Sequence, residues 1–275
     1  MRLCPLGYKF LSAVLLACAF QGIGLLGGAL APAWAAGADT PAPVVAPAAT
    51  VEELYARNRA AEAEFHALMA GLRDEFKAEL IERPGLMSEA RVREKLEKKY
   101  GGDLSRVTDI LAATLVFDTE EGILAAAEAL KSRKYVLNFI DRWTAGRASG
   151  YRDFQLKIAL SNGVAAELQL HHRKIAEVNR YLDHSLYEFV RLNEGREGTE
   201  AWIRQTQAIE RAFYDAALTG KYDELSEDGR IKARAIARRL AAHSKDRPEE
   251  VQPLLNLLSR IVRDELGCLT TGRMD

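Results

Sequence analysis

The chain has 275 residues, 48% of them hydrophobic and 28% charged, and its 38 Lys and Arg against 39 Asp and Glu leave a net charge of -1. These are ordinary values for a globular protein and exclude little. Near-neutral charge does remove any general electrostatic case for DNA or an acidic membrane as partner, so anion binding has to come from local clusters.

Residues 1–36 read as an export signal. Arg2 and Lys9 precede an uncharged run from Phe10 to Ala38 that ends in the small residues around Ala33-Trp34-Ala35-Ala36, which predicts cleavage after Ala35 or Ala36. An uncleaved membrane anchor and a lipoprotein linked through Cys18 are the alternatives. The four glycines between Phe10 and Ala31 and the small-residue end of the run favour cleavage, and the membrane is then met only during export. Cys4 and Cys18 lie in the signal, so Cys268 is expected to stand alone in the mature chain and form no intramolecular disulfide. The Pro- and Ala-rich residues 37–49 read as a tether.

Ordered structure is expected from Thr50, which with Glu53 makes a capping-box pattern. Val51, Leu54, Ala61, Phe65, Leu68, Leu72, Phe76 and Leu80 follow at helical spacing, predicting one helix as far as Pro84-Gly85. A second helix should run from Ser88 to Gly101-Gly102. Ile110 to Phe117 is a short apolar run that reads as a buried strand, followed by a helix capped by Asp118 and Glu121. Tyr135 to Ile140 reads as another strand and Thr144 to Gly150 as a loop. Next comes a hairpin from Arg152 to Leu170 with its turn at Ser161-Asn162-Gly163. A three-residue turn with Gly163 left-handed pairs Lys157 with Glu167, Gln155 with Gln169 and Asp153 with His171, so that all six polar side chains share one face. Beyond His172 the chain is expected to be helical, with three amphipathic helices over 199–218, 227–243 and 249–266. The fold class is therefore α+β, a small mixed sheet flanked by helices, with an N-terminal helix and a C-terminal helical extension.

Several residues could carry chemistry. Asp109 stands just before the buried strand and Glu167 lies on a strand expected near it. Two carboxylates are the usual protein contribution to a Mg²⁺ site shared with substrate phosphates. Arg91, Lys95 and Lys98 recur at four and three residues, so they share a helix face that can clamp phosphate, although Glu94 and Glu97 offer them helical ion pairs instead. His171 and His172 point to opposite faces of a strand, so at most one can join the carboxylates. Arg230, Lys232, Arg234, Arg238 and Arg239 read as a solvated helix face.

The ordered set Asp109-Ile110, Gly150-Tyr151-Arg152-Asp153 and Glu167-Leu168-Gln169-Leu170-His171 resembles the synthetase domain of RelA/SpoT-like nucleotide pyrophosphokinases, over about residues 88–191. The resemblance implies a nucleotidyltransferase-like domain over 50–195 and a separate helical region over 196–275. It implies transfer of pyrophosphate from ATP to the 3′-hydroxyl of an acceptor nucleotide, as in guanosine tetraphosphate metabolism. In that scheme Asp109 holds Mg²⁺, Glu167 holds metal or acts as base, and Tyr151 stacks on the acceptor base. Arg91, Lys95 and Lys98 take ATP phosphates, while Arg147 and Gln169 complete the nucleotide contacts. The chain departs from the pattern at Ala112, Ala113 and Thr114, where Gly and Arg are common, and at Ser149, Gln155 and His171-His172. Two other readings stay open: a degenerate exported domain that binds a nucleotide or partner without turnover, and a secreted effector whose acceptor is an adenine nucleotide or tRNA.

Overall fold

The structure, a computed structural model, describes residues 48–267; the expected signal, the tether as far as residue 47 and all three cysteines lie outside the described residues. Thr50 caps helix α1 (Val51–Phe76), its hydroxyl accepting from the Glu53 N–H at 3.1 Å. The Glu53 carboxylate reaches back one residue further than expected, to the Ala49 N–H at 2.7 Å. The helix does not run on to Pro84. Lys77 turns left-handed, and Glu79–Glu82 forms an edge strand, β1, with Leu80 facing the core. Leu72, Phe76 and Leu80 keep a helical spacing by coincidence, and backbone pairing to the next strand overrides it.

Helix α2 (Glu89–Lys95) begins at Ser88 and widens into a π-type turn over Leu96–Tyr100. Strand β2 (Ala112–Phe117) leads to helix α3 (Glu120–Lys131), whose N-cap is Thr119 accepting from Gly122 at 3.1 Å. Asp118, expected in that role, is paired with Arg173 instead. Strands β3 (Val136–Asp141), β4 (Phe154–Ala159) and β5 (Ala165–His172) complete a mixed sheet in the order β1-β2-β5-β4-β3. Only β2 and β5 run parallel.

The hairpin has the expected register, Lys157 opposite Glu167 and Gln155 opposite Gln169. Gly163 makes it possible, since its φ of +78° closes the turn at no steric cost. The turn is anchored to α1 by Ser161 and Asn162, which bond Glu64 and the Arg57 carbonyl. One face of the sheet presents Ala113, Leu115, Leu168, Leu170, Leu156 and Ile158, all buried with Phe65, Met69 and Leu72 of α1 and Ile123 and Leu130 of α3. The opposite face carries Thr114, Glu167, Gln169, Gln155 and Lys157, and is half-buried.

After β5 come α4 (Arg173–Val178), a wide turn over Asn179–Asp183, α5 (His184–Asn193), α6 (Glu200–Leu218), α7 (Glu227–His243) and α8 (Pro248–Ile261). Helix α6 packs against α4, α5 and α8, and its Ile209, Phe213 and Tyr214 enter the same core as the sheet. Among the described residues no helix is long and apolar enough to cross a membrane.

The contact of α6 with the wide turn contains a buried acid pair. Tyr214 donates to Asp183 Oδ2 at 2.7 Å, and Glu210, 3% exposed, donates its proton to Asp183. Burial first and the Asp183 charge second push the Glu210 carboxyl far above the usual carboxylate range. A raised folded value means that the pair's stability is full below the unfolded pKa, about 4.3, and drains as pH rises toward the folded value. Glu210→Gln keeps a donor and loses the titration. Urea midpoints should therefore fall from pH 6 to pH 9 in the wild type and stay flatter in the variant; parallel curves would show that Glu210 is ionised in the fold.

Candidate active site

Asp109 is positioned from both sides. Ile110 and Val92 belong to a small apolar cluster with Leu54, Met87 and Val107 that fixes α2 against the entry to β2. Arg83, just after β1, donates to the Asp109 carbonyl at 2.7 Å. Lys95 of α2 donates to Asp109 Oδ2, while Oδ1 is buried with no hydrogen-bond partner. Glu167 is one strand away: it pairs with Ala112, and its N–H bonds the Leu111 carbonyl at 3.0 Å. Gln155 donates to one oxygen of Glu167, and Gln169 donates to the other at 3.1 Å.

The two carboxylates feel each other. Burial, and after it the Asp109 charge, raise the Glu167 pKa above the usual carboxylate range, against the opposing pull of Gln155 and Lys95. Tyr100 belongs to the same place, its pKa raised by burial and then by the charges of Asp109 and Glu167. No local pattern points to it. Five residues after Lys95 it lies off that face of a regular helix, and the i→i+5 bonding of the π-type turn brings it round.

The basic face of α2 is divided. Lys95 goes to Asp109, whereas Arg91 bonds Glu94 at 2.5 Å and Lys98 bonds it at 3.0 Å. Arg191 of α5 joins them at 2.8 Å, and with Lys98 and Arg91 holds the Glu94 carboxyl well below its ordinary range. The expected clamp of Arg91, Lys95 and Lys98 is thus one lysine at the carboxylate and two cations in a Glu94-centred cluster. Helical ion pairing won because Glu94 lies three and four residues from them.

Tyr151 and Arg147 lie at the other end of the polar face. Asp153, fully buried, takes a two-point contact from Arg142, with both bonds at 2.5 Å. Tyr151 donates to Asp153 Oδ2 at 2.9 Å and meets His171 Nε2 at 2.7 Å. A phenol has one proton, so His171 must carry its own on Nε2 and donate. Burial pushes the His171 pKa down to about 4, which keeps the ring neutral. Asp153 and His171, expected on the shared polar face, are therefore buried there and joined through Tyr151. Arg142 also donates to Gln155 at 2.8 Å, joining this network to Glu167.

The Tyr151 ring is 8% exposed and meets Tyr214 of α6 edge-on at 5.9 Å. Its loop lies flush against that helix: a Cβ on Gly150, whose φ is +82°, would stand 3.0 Å from Arg211 Cα. Guanidinium groups of Arg142 and Arg147 lie 5.9 and 5.6 Å from the ring centre. Arg142 is tied to Asp153, whereas Arg147 is exposed.

Among the described residues no three His, Cys, Asp or Glu side chains cluster as a metal site. The donor set at Asp109 and Glu167 still fits Mg²⁺, which binds through one or two carboxylates plus water and phosphate, and the unpartnered Asp109 Oδ1 is an oxygen such an ion can use.

No protein-family model and no curated protein matches the chain. Solved structures do. The Type VI effector Tas1, known in complex with its immunity protein, superposes with a TM-score of 0.51 at 18% identity, over 62% of this chain and 96% of Tas1. The chain has the fold of Tas1. Small alarmone synthetase 1 from Bacillus subtilis matches at a TM-score of 0.45 and 19% identity, over 63% of this chain and 97% of its own. A GTP pyrophosphokinase family protein from Streptococcus pneumoniae matches at 0.45 and 18%, over 67% and 96%. The mixed sheet with flanking helices expected from the residues is the architecture observed.

Because Asp153 is fully buried, removing its partner is costly. Arg142→Met should destabilise the protein by about 3–5 kcal/mol by stranding that charge, and adding Asp153→Asn should recover a large part of the loss. Equal stability of wild type and Arg142→Met in urea would show that the carboxylate is solvated.

Proposed function

We propose that the chain is a Mg²⁺-dependent pyrophosphotransferase that moves the β,γ-pyrophosphate of ATP to the 3′-hydroxyl of a nucleotide. The observation that carries this reading is the approach of Asp109, at the entry to β2, to Glu167 on the neighbouring strand β5, close enough for its charge to raise the Glu167 pKa, with Lys95 on Asp109. When bound, Mg²⁺ would be held by Asp109 and Glu167 and would supply charge neutralisation on the phosphate oxygens. The protein's part is otherwise positioning and proton transfer. Gln155 and Gln169 each donate to one oxygen of Glu167 and so fix the orientation of the carboxylate. The acceptor 3′-oxygen bonds to the β-phosphorus, the bond from that phosphorus to the α,β-bridging oxygen breaks, AMP leaves, and the 3′-hydroxyl proton passes to Glu167.

A second reading is nucleotide binding without turnover. It is favoured by the enclosure of Tyr151 and by the stretch Ala112-Ala113-Thr114, where the resembling family commonly has Gly and Arg. The assay that separates the two incubates the full chain with ATP, Mg²⁺ and, in turn, GDP, GTP, AMP, ADP or tRNA. Transfer is expected with one acceptor class, falling about 10²–10³-fold in Asp109→Asn and in Glu167→Gln. Binding of ATP with no product for any acceptor would select the second reading.

Residues 1–36 are proposed to direct export, which suits an effector delivered to another cell, as Tas1 is an effector with an immunity protein. A reporter enzyme that works only outside the cytoplasm, fused after residue 50, should be active, and should lose activity when Leu15 and Leu16 are replaced by Asp. An inactive fusion that accumulates inside the cell would refute export.

A further inference from the structure

Beside the Tyr151 loop lies a groove of about 470 Å³ that neither the carboxylates nor the Tyr151 network uses. That volume is in the range of small-ligand sites, about 300–1,000 Å³. Its floor is small and apolar, made of Ala148 from the loop and Ala208 and Ala212 from α6. Its walls are cationic. Arg204 and Arg211 are seven residues apart, two turns of α6, and so stand on one face. Arg204 is exposed and makes no hydrogen bond or ion pair among the described residues. Arg211 uses a single nitrogen, Nη2, to hold the carbonyls of Ala148 at 2.7 Å and Arg147 at 3.4 Å, which leaves its other N–H groups uncommitted. Arg147 itself is exposed at the same loop. Two guanidinium groups, Arg204 and Arg211, thus line the groove with one carboxylate, Asp215, and planar N–H forks on a small apolar floor suit phosphate oxygens next to a sugar or base.

We propose that this groove binds the 5′-phosphate groups of the acceptor nucleotide, so that the helix α6, outside the region that carries the motifs, completes the acceptor site. The proposal rests on the transfer reading and adds to it the two residues, Arg204 and Arg211, that recognise the acceptor through its 5′-phosphates. With the base in the place Arg147 vacates at Tyr151, Arg147 becomes a third cation for the same phosphates. The geometry also explains why Gly150 carries no side chain. The loop must lie against α6 for its carbonyls to orient Arg211.

The test is calorimetric titration of the full chain, its donor side filled by a non-hydrolysable ATP analogue with Mg²⁺, using ADP, GDP, inorganic tripolyphosphate, adenosine and guanosine as probes. The diphosphates and tripolyphosphate are expected to bind and the nucleosides not to. Arg204→Glu, at a position that holds nothing in the fold, should weaken the phosphate-bearing probes tenfold or more with an unchanged thermal midpoint, and Asp109→Asn should leave them unaffected. Wild-type affinity in Arg204→Glu, no binding by the wild type, or nucleosides binding as well as nucleotides would each overturn the proposal. The two readings fail separately. Arg204-dependent binding without product for any acceptor removes the transfer chemistry and keeps the groove, whereas transfer with an unchanged acceptor KM in Arg204→Glu removes the groove alone.

Discussion

Glu167 on β5 and Asp109 at the entry to the neighbouring parallel strand β2 are two carboxylates that repel each other, and the hydrophobic side of the sheet keeps them near one another. Leu168 and Leu170 are fully buried on one face of β5, and alternation alone then turns Glu167 and Gln169 to the other. A register slip of one residue would put Glu167 into the core and Leu168 into the cleft, which the burial of a carboxylate forbids. The core thereby sets the address of the site. The short apolar cluster around Val92 and Ile110 does the same for Asp109 and Lys95.

What offsets the repulsion is local. Lys95 covers one oxygen of Asp109, and the two glutamine amides cover both oxygens of Glu167. Those amides are in turn held from the far end of the face: Arg142 bridges Asp153 and Gln155, and Asp153 accepts from Tyr151, whose ring rests on Tyr214 of α6. A continuous series of hydrogen bonds and ring contacts thus runs from Glu167 to the C-terminal helices. Its role is to fix rotamers. Each member has its partners assigned, so none of these side chains is free to drift.

The hairpin was legible because a polar alternation over eight residues and an Asn-Gly turn admit only one register that separates the faces, and Gly163 left-handed is that register. The C-terminal helices were legible from their apolar stripes. The edge strand β1 was not, since Leu72, Phe76 and Leu80 mimic a helix, and only pairing with β2 reveals otherwise. In the site, Asp109, Glu167, Gln169 and Lys95 came together as strand and helix patterns implied. Tyr100 depended on a widened turn and Arg83 on a backbone contact, neither of which has a local signature. The fate of Arg91 and Lys98 turned on Glu94 and on Arg191, 97 residues away from it in sequence, and competition of that range is invisible along a helix. The contribution of α6 was invisible for the same reason: its arginines matter through the loop they face.

The central claim is that Asp109 and Glu167 act as one divalent-cation site. Titration of Mn²⁺ into the full chain in the presence of a non-hydrolysable ATP analogue, followed by electron paramagnetic resonance, addresses it without any turnover. The account predicts one nucleotide-dependent Mn²⁺ site whose affinity falls in Asp109→Asn and in Glu167→Gln alike. An affinity unchanged by either substitution would contradict it.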